Sequence, residues 1–122
     1  MKAYKATRNG KCINITYQEG KIYTFQGKMR MCQQGFHFCK NPKDTIKWYH
    51  WDKDFQLMEI EVIGEIVDDE DNKSLTDKFK VLRFIPREET RELLGIIEEY
   101  DKNNNLIHFK DSYGIEWSIQ IS

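Results

Sequence analysis

Short runs in which apolar and polar residues alternate, each cut off by a glycine or asparagine turn, fill most of this chain and favour short antiparallel strands. Residues 2–6 read as a strand, Asn9-Gly10 as a hairpin turn, and residues 12–17 as the returning strand. Glu19-Gly20 and Gln26-Gly27 bracket a strand at 21–25, and the pattern continues through 29–32 and 35–39. In the last of these Phe36 and Phe38 share one face, while Gly35, His37 and Cys39 share the other. Residues 57–67 form the longest strand candidate. Met58, Ile60 and Val62 supply its buried face, and Glu59 and Glu61 lie on a face expected to be solvated. An acidic turn at 68–72 leads into a strand at 78–85, which Pro86 ends.

Two helices are expected among these strands. Asn41 as N-cap, Pro42 at the first helical position and Asp44 in the first turn start one that should run to Trp51. A second should span 86–97, with Glu88 and Glu89 in its first turn and Leu93, Leu94 and Ile97 on one face. Beyond it, 98–101, 106–110 and 115–121 read as a three-stranded meander. The expected fold class is therefore α+β: mainly antiparallel sheet, one or two packed helices and a C-terminal β-meander. It forms one domain over 1–122, with a core at 1–86 and an extension at 87–122.

A chain of 122 residues with 39% hydrophobic content suits one core that buries about two-thirds of the unfolded surface. No run approaches the roughly 18 apolar residues of a membrane span, and Met1-Lys2-Ala3-Tyr4-Lys5 opens no signal-peptide pattern, so the expected location is the cytoplasm. The formal charge of -1 conceals an asymmetry. Residues 1–55 hold 11 Lys/Arg against 4 Asp/Glu, and residues 56–122 hold 8 against 16. Such halves can serve a charged partner or self-association, or can neutralise each other within one fold, which is the reading preferred here.

Three cysteines without an export signal argue against a disulfide framework. Cys12, Cys32, His37 and Cys39 are ligand types that hold zinc, but no short Cys-x2-Cys knuckle joins them. Buried thiols beside a hydrogen-bonded histidine are expected instead, with no cofactor. For catalysis the candidates are Glu59 and Glu61, paired on one strand face, and His37 or His50 as a base for a Cys39 nucleophile. There is no phosphate loop and no nucleophile elbow. Lys43, Lys47, Arg30 and Trp51 are the candidate binding residues, since basic and aromatic side chains interleave in the first half. Those aromatics, Tyr4, Phe36, Trp48 and Trp51, are expected to fill the core rather than form a stacking surface.

Lys2-Ala3-Tyr4-Lys5, Glu19-Gly20-Lys21-x-Tyr23 and Cys32-x-x-Gly35-Phe36-His37-Phe38-Cys39-x-Asn41-Pro42 resemble a family of uncharacterised proteins of phages, prophages and gut bacteria. The tail, from Glu99-Tyr100-Asp101 to Gly114-Ile115-Glu116-Trp117, is similar to a tyrosine-aspartate β-hairpin repeat, here in one copy. A looser likeness is to the ADP-ribosyltransferase fold, without that fold's Ser-Thr-Ser strand motif. The phage-type resemblance implies a small protein that binds a host protein and inhibits a host defence system, in the manner of an anti-CRISPR. Nucleic acid is a less favoured partner, no membrane is expected, and homo-oligomerisation stays open. The alternative is a nucleotide-handling enzyme, ADP-ribosyltransferase-like and either active or degenerate, using the cleft beneath residues 35–51.

Overall fold

The alternation at the start of the chain yields strand β1 (Lys2–Arg8), with Ala3, Lys5 and Thr7 buried on one face. The structure, a computed structural model, describes residues 1–12, 14–27, 35–68 and 73–121 and divides into two compact units, Met1–Pro86 and Arg87–Ser122. In the first unit β1 turns through Asn9 and Gly10 at φ 55° and 75°. Left-handed backbone at both central residues is what a twisted hairpin requires, and Asn-Gly accommodates it at least cost. The chain returns as β2 (Lys11–Cys12), which folds back on β3 (Ile15–Thr16), so the single strand expected at 12–17 is a small hairpin. Asn14, in its turn, is a residue type that breaks the ladder there.

β4 (Ile22–Thr24), β5 (Phe36–Phe38), β6 (Phe55–Val62), β7 (Ile66–Asp68), β8 (Ser74–Thr76) and β9 (Lys78–Phe84) complete this unit. They form two antiparallel sheets, β3-β2-β1-β6-β9-β4 and β5-β8-β7. The sheets meet where Tyr4 and Cys39 each donate a backbone N–H to the other's carbonyl, at 2.9 and 2.8 Å. The strand expected at 57–67 is two strands in different sheets. Gly64 marks the corner: a Cβ there would lie 2.9 Å from the Lys78 backbone nitrogen and overlap the Asp77 carboxylate. The expected strand at 29–32 and most of the acidic turn at 68–72 lie outside the described residues.

The expected helix at 42–51 is a 3-10 helix, Pro42–Lys47. Its start follows the sequence: Asn41 Oδ1 accepts the Lys43 N–H at 3.0 Å. Its tightness and early end have a physical cause. Thr45 Oγ1 donates to the Pro42 carbonyl at 2.7 Å, and the residues after it, Ile46 and Trp48 to Trp51, are weak helix formers.

Phe79, fully buried, is the hub of the core. Its ring meets Phe36 edge-on at 4.9 Å, stacks on Tyr23 at 5.6 Å and tilts against Tyr17 at 5.6 Å, drawing β9, β5, β4 and the end of the first hairpin together.

The second unit begins with helix α1 (Arg87–Leu94), which Gly95 ends at φ 66° where 86–97 was expected. β10 (Ile97–Tyr100), β11 (Leu106–Lys110) and β12 (Glu116–Ser118) follow as an antiparallel sheet in that order. Both hairpin turns use one device. Asp101 Oδ1 accepts the N–H groups of Asn103 and Asn105 at 2.8 and 3.0 Å, and Asp111 Oδ1 accepts those of Tyr113 and Ile115 at 2.9 and 3.1 Å. Strand thus outweighs helix throughout, and no helix among the described residues is long and apolar enough to cross a membrane.

Candidate functional site

A cavity of about 210 Å³ opens in the first unit where β1, β5 and the 3-10 helix converge. β1 contributes Tyr4 and Ala6, which alternate with the core-facing Ala3, Lys5 and Thr7. β5 and the residue after it contribute His37, Phe38 and Cys39. The helix and its end contribute Thr45, Trp48 and Tyr49, and Lys73 closes the set from the residue before β8. The walls are chiefly aromatic. Lys73 Nζ stands 4.1 Å from the centre of the Trp48 ring, a cation–π contact that fixes a positive charge at the cavity. Trp48 is 40% exposed, so part of its ring is open to a ligand.

Ionisable groups whose charged forms are disfavoured surround the cavity, with Cys39 and Tyr49 in its wall and Lys5 and Tyr17 outside it. Lys5 is buried, its Nζ donates to the His37 carbonyl at 2.7 Å, and its ammonium stands 6.0 Å from the Tyr17 ring centre. Burial lowers its pKa against the smaller opposing pull of Cys12 and Cys39. Burial pushes the Cys39 thiol up to about 11, which keeps it protonated and a poor nucleophile at neutral pH. The Tyr49 phenol is raised by burial and then by its 3.5 Å contact with Cys12 Sγ, and Tyr17 is raised by burial.

The residues singled out in the sequence separate into several places. His37 and Cys39 line the cavity, and Cys12 touches it through Tyr49. Cys32 and Arg30 lie outside the described residues, among which no group of three or more His, Cys, Asp or Glu is placed to hold a metal. Glu59 and Glu61 share a face of β6 as expected, but neither lines the cavity. That face is not the solvated surface expected. Glu59 is only 9% exposed and pairs with Lys2 at 3.1 Å and Arg83 at 3.2 Å, while Leu57 beside it is fully buried. Two flanking cations from β1 and β9 let the carboxylate be buried there, a cross-strand arrangement invisible in a single strand's pattern. Glu61 pairs with the N-terminal ammonium at 3.2 Å.

Lys43 and Lys47 are exposed on the 3-10 helix, Lys47 Nζ standing 3.6 Å from Asp44, and Trp51 is half-buried with its ring 5.1 Å from that of Phe55. Tyr49 and Lys73 were not singled out. Lys73 is 25 residues beyond Trp48 in the chain, and no local signal joins them. Of the four first-half aromatics expected in the core, Phe36 is buried and Trp51 half-buried, whereas Tyr4 and Trp48 line the cavity.

Residues 1–92 match the model of a protein family described as Domain of unknown function (DUF7666), a stretch that includes every residue lining the cavity. No curated protein and no solved structure matches the chain.

Proposed function

The chain belongs to this family of unknown function, and from that premise we propose that its first unit is a binding module whose cavity holds one planar, negatively charged small molecule of the nucleotide class. The carrying observation is the pairing of aromatic walls with the Lys73 charge over Trp48. Aromatic faces stack on any base, and a fixed ammonium favours a phosphate. Size sets the limit. At about 210 Å³ the cavity falls below the roughly 300–1,000 Å³ of sites that enclose drug-sized ligands, so it takes a single ring system and leaves the rest of a larger ligand outside. Binding is favoured over catalysis because the one thiol among the described wall residues, Cys39, is held protonated and the paired glutamates stand elsewhere.

Titration with nucleoside monophosphates, followed by calorimetry, tests this. Trp48→Ala and Lys73→Ala should each weaken binding about tenfold or more, the equivalent of about 1.4 kcal/mol, with the fold intact. Absence of saturable binding at millimolar nucleotide would sink the proposal.

A second reading is favoured by Lys43 and Lys47, both exposed on the helix that walls the cavity. In it the chain is a phage-type protein that blocks a host defence component by presenting this basic turn to an acidic protein surface. Lys43→Glu with Lys47→Glu should then slow association in a host-defence assay and steepen no other defect. Unchanged inhibition by the double variant removes that reading.

A further inference from the structure

The sheet of the second unit ends on an open edge. Among the described residues nothing pairs with the outer side of β12. Residues 115–121 carry one charge, Glu116, and none of the lysines or prolines with which proteins blunt exposed edges. Hydrogen bonds fix which peptide groups face outward. The Ile115 carbonyl accepts the Asp111 N–H at 2.9 Å, and the Ile119 N–H donates to the Ile107 carbonyl at 2.8 Å, so the odd-numbered residues direct their backbone groups at β11. By the two-residue period, Glu116 and Ser118 direct theirs away from the sheet. Ile115, Trp117 and Ile119 share one face by that period, and the odd-numbered side chains are unusually bare: Ile115 is 59% exposed, Trp117 38%, Ile119 52% and Ile121 58%.

We propose that this edge pairs with the same edge of a second copy of the chain, antiparallel about a two-fold axis at Ser118. The sequence Ile115-Glu116-Trp117-Ser118-Ile119-Gln120-Ile121 is self-complementary about that residue. Ser118 meets Ser118, and Glu116 meets Gln120, so like charges are not opposed. Trp117 meets Ile119 and Ile115 meets Ile121, which makes every pair on the apolar face an aromatic–β-branched or β-branched pair of the kind that stabilises antiparallel sheets. The outward peptide groups of Glu116 and Ser118 are the ones such pairing exchanges, with those of Gln120 once the partner draws it into the strand, two hydrogen bonds for each opposed pair. The product is one continuous six-stranded sheet across both copies. Such an isologous contact closes on itself and forms a dimer, not a fibre. Two short strands bury well under the roughly 1,200 Å² of a standard interface, which places the dimer in the weak class, with a Kd between about 1 μM and 1 mM.

Sedimentation of the full chain from about 0.1 μM to 1 mM should show the mass rising from 14.7 kDa toward twice that value. Ser118→Pro removes an outward N–H without touching a bond to β11, and should hold the mass at that of one chain throughout. Ser118→Glu and Ser118→Lys place like charges on the axis and should each stay monomeric alone, while an equimolar mixture associates. The titration of His108, whose ring bridges β10 and β12, reports in Ser118→Pro that the meander is still formed, and circular dichroism reports it for the charged variants, whose residue 118 lies directly opposite His108. A wild type that keeps the mass of one chain over the whole range overturns the proposal. So does a Ser118→Pro chain that retains its meander and dimerises as the wild type does, or a Glu/Lys mixture no more associated than its components.

Discussion

Replacement of Phe79 tests whether the first unit is organised around aromatic contacts or only around buried volume. Phe79 is fully buried and touches three rings, and the edge-on contact with Phe36 and the stacked contact with Tyr23 have the geometries aromatic pairs prefer. Phe79→Ala removes the ring and leaves a cavity, at a cost of about 3–5 kcal/mol. Phe79→Leu keeps most of the volume, and a swap of that kind alone usually costs less than about 1.5 kcal/mol. The lost aromatic pairs add about 0.5–1.5 kcal/mol each. Leucine should therefore cost about 2–3 kcal/mol, clearly more than a volume swap and less than alanine. At about 0.05–0.15 kcal/mol per residue the unit has only a modest total, so Phe79→Ala should leave it near its folding threshold. Urea denaturation monitored by circular dichroism reads both values, since with a slope of about 1–3 kcal/mol/M the leucine variant should unfold about 1 M earlier. If Phe79→Leu costs less than about 0.5 kcal/mol, the rings act as filler and the hub is a misreading. If both variants cost the same, volume is not what separates them, and the reasoning also fails.

Two further outcomes concern protons. Burial lowers the Lys5 pKa, so between that value and the unfolded value of about 10.4 the unfolded chain binds the extra proton and stability rises with pH. The difference in stability between wild type and Lys5→Met, which shares Cys39 and Tyr17, should grow in the wild type's favour from pH 7 to 10; a flat difference would contradict the burial of a lysine amine there. His108 Nδ1 lies 3.0 Å from Glu99 and Nε2 lies 2.9 Å from Glu116, and these hydrogen bonds, Glu116 foremost, raise its pKa. Its contribution to the second unit is therefore full below the unfolded pKa of about 6.5 and is lost as pH rises through the folded value. The hydrogen bond from His108 likewise holds the Glu116 carboxyl low, and that contribution is lost as pH falls through the depressed value. Proton NMR titration should find the His108 midpoint above 6.5, and a midpoint at or below it would show that the three-strand clamp does not form.

What was legible in the sequence is what neighbours in the chain determine. Asn9-Gly10 announced its hairpin because two consecutive left-handed residues admit few alternatives, and Asn41-Pro42 announced a helix start because capping is local. Where a choice rested on distant atoms, the pattern misled. The strand at 57–67 reads as continuous, and only the approach of Asp77 and Lys78 to Gly64 shows why it must break. Glu59 reads as solvated until Lys2 and Arg83 arrive from the strands on either side. The cavity combines both cases. His37 and Cys39 stood out as residues of chemical interest, but what makes a binding surface of them is Tyr4 from the first strand, Trp48 from the end of the 3-10 helix and Lys73, the residue before β8. The edge of β12 is the reverse: its self-complementary alternation is written plainly in residues 115–121, yet it acquires meaning only once Asp111 and Ile107 are seen to claim the inward peptide groups and leave the others facing out. A one-dimensional pattern specifies which side chains share a face; the hydrogen-bond ladder decides which edge is left to bind.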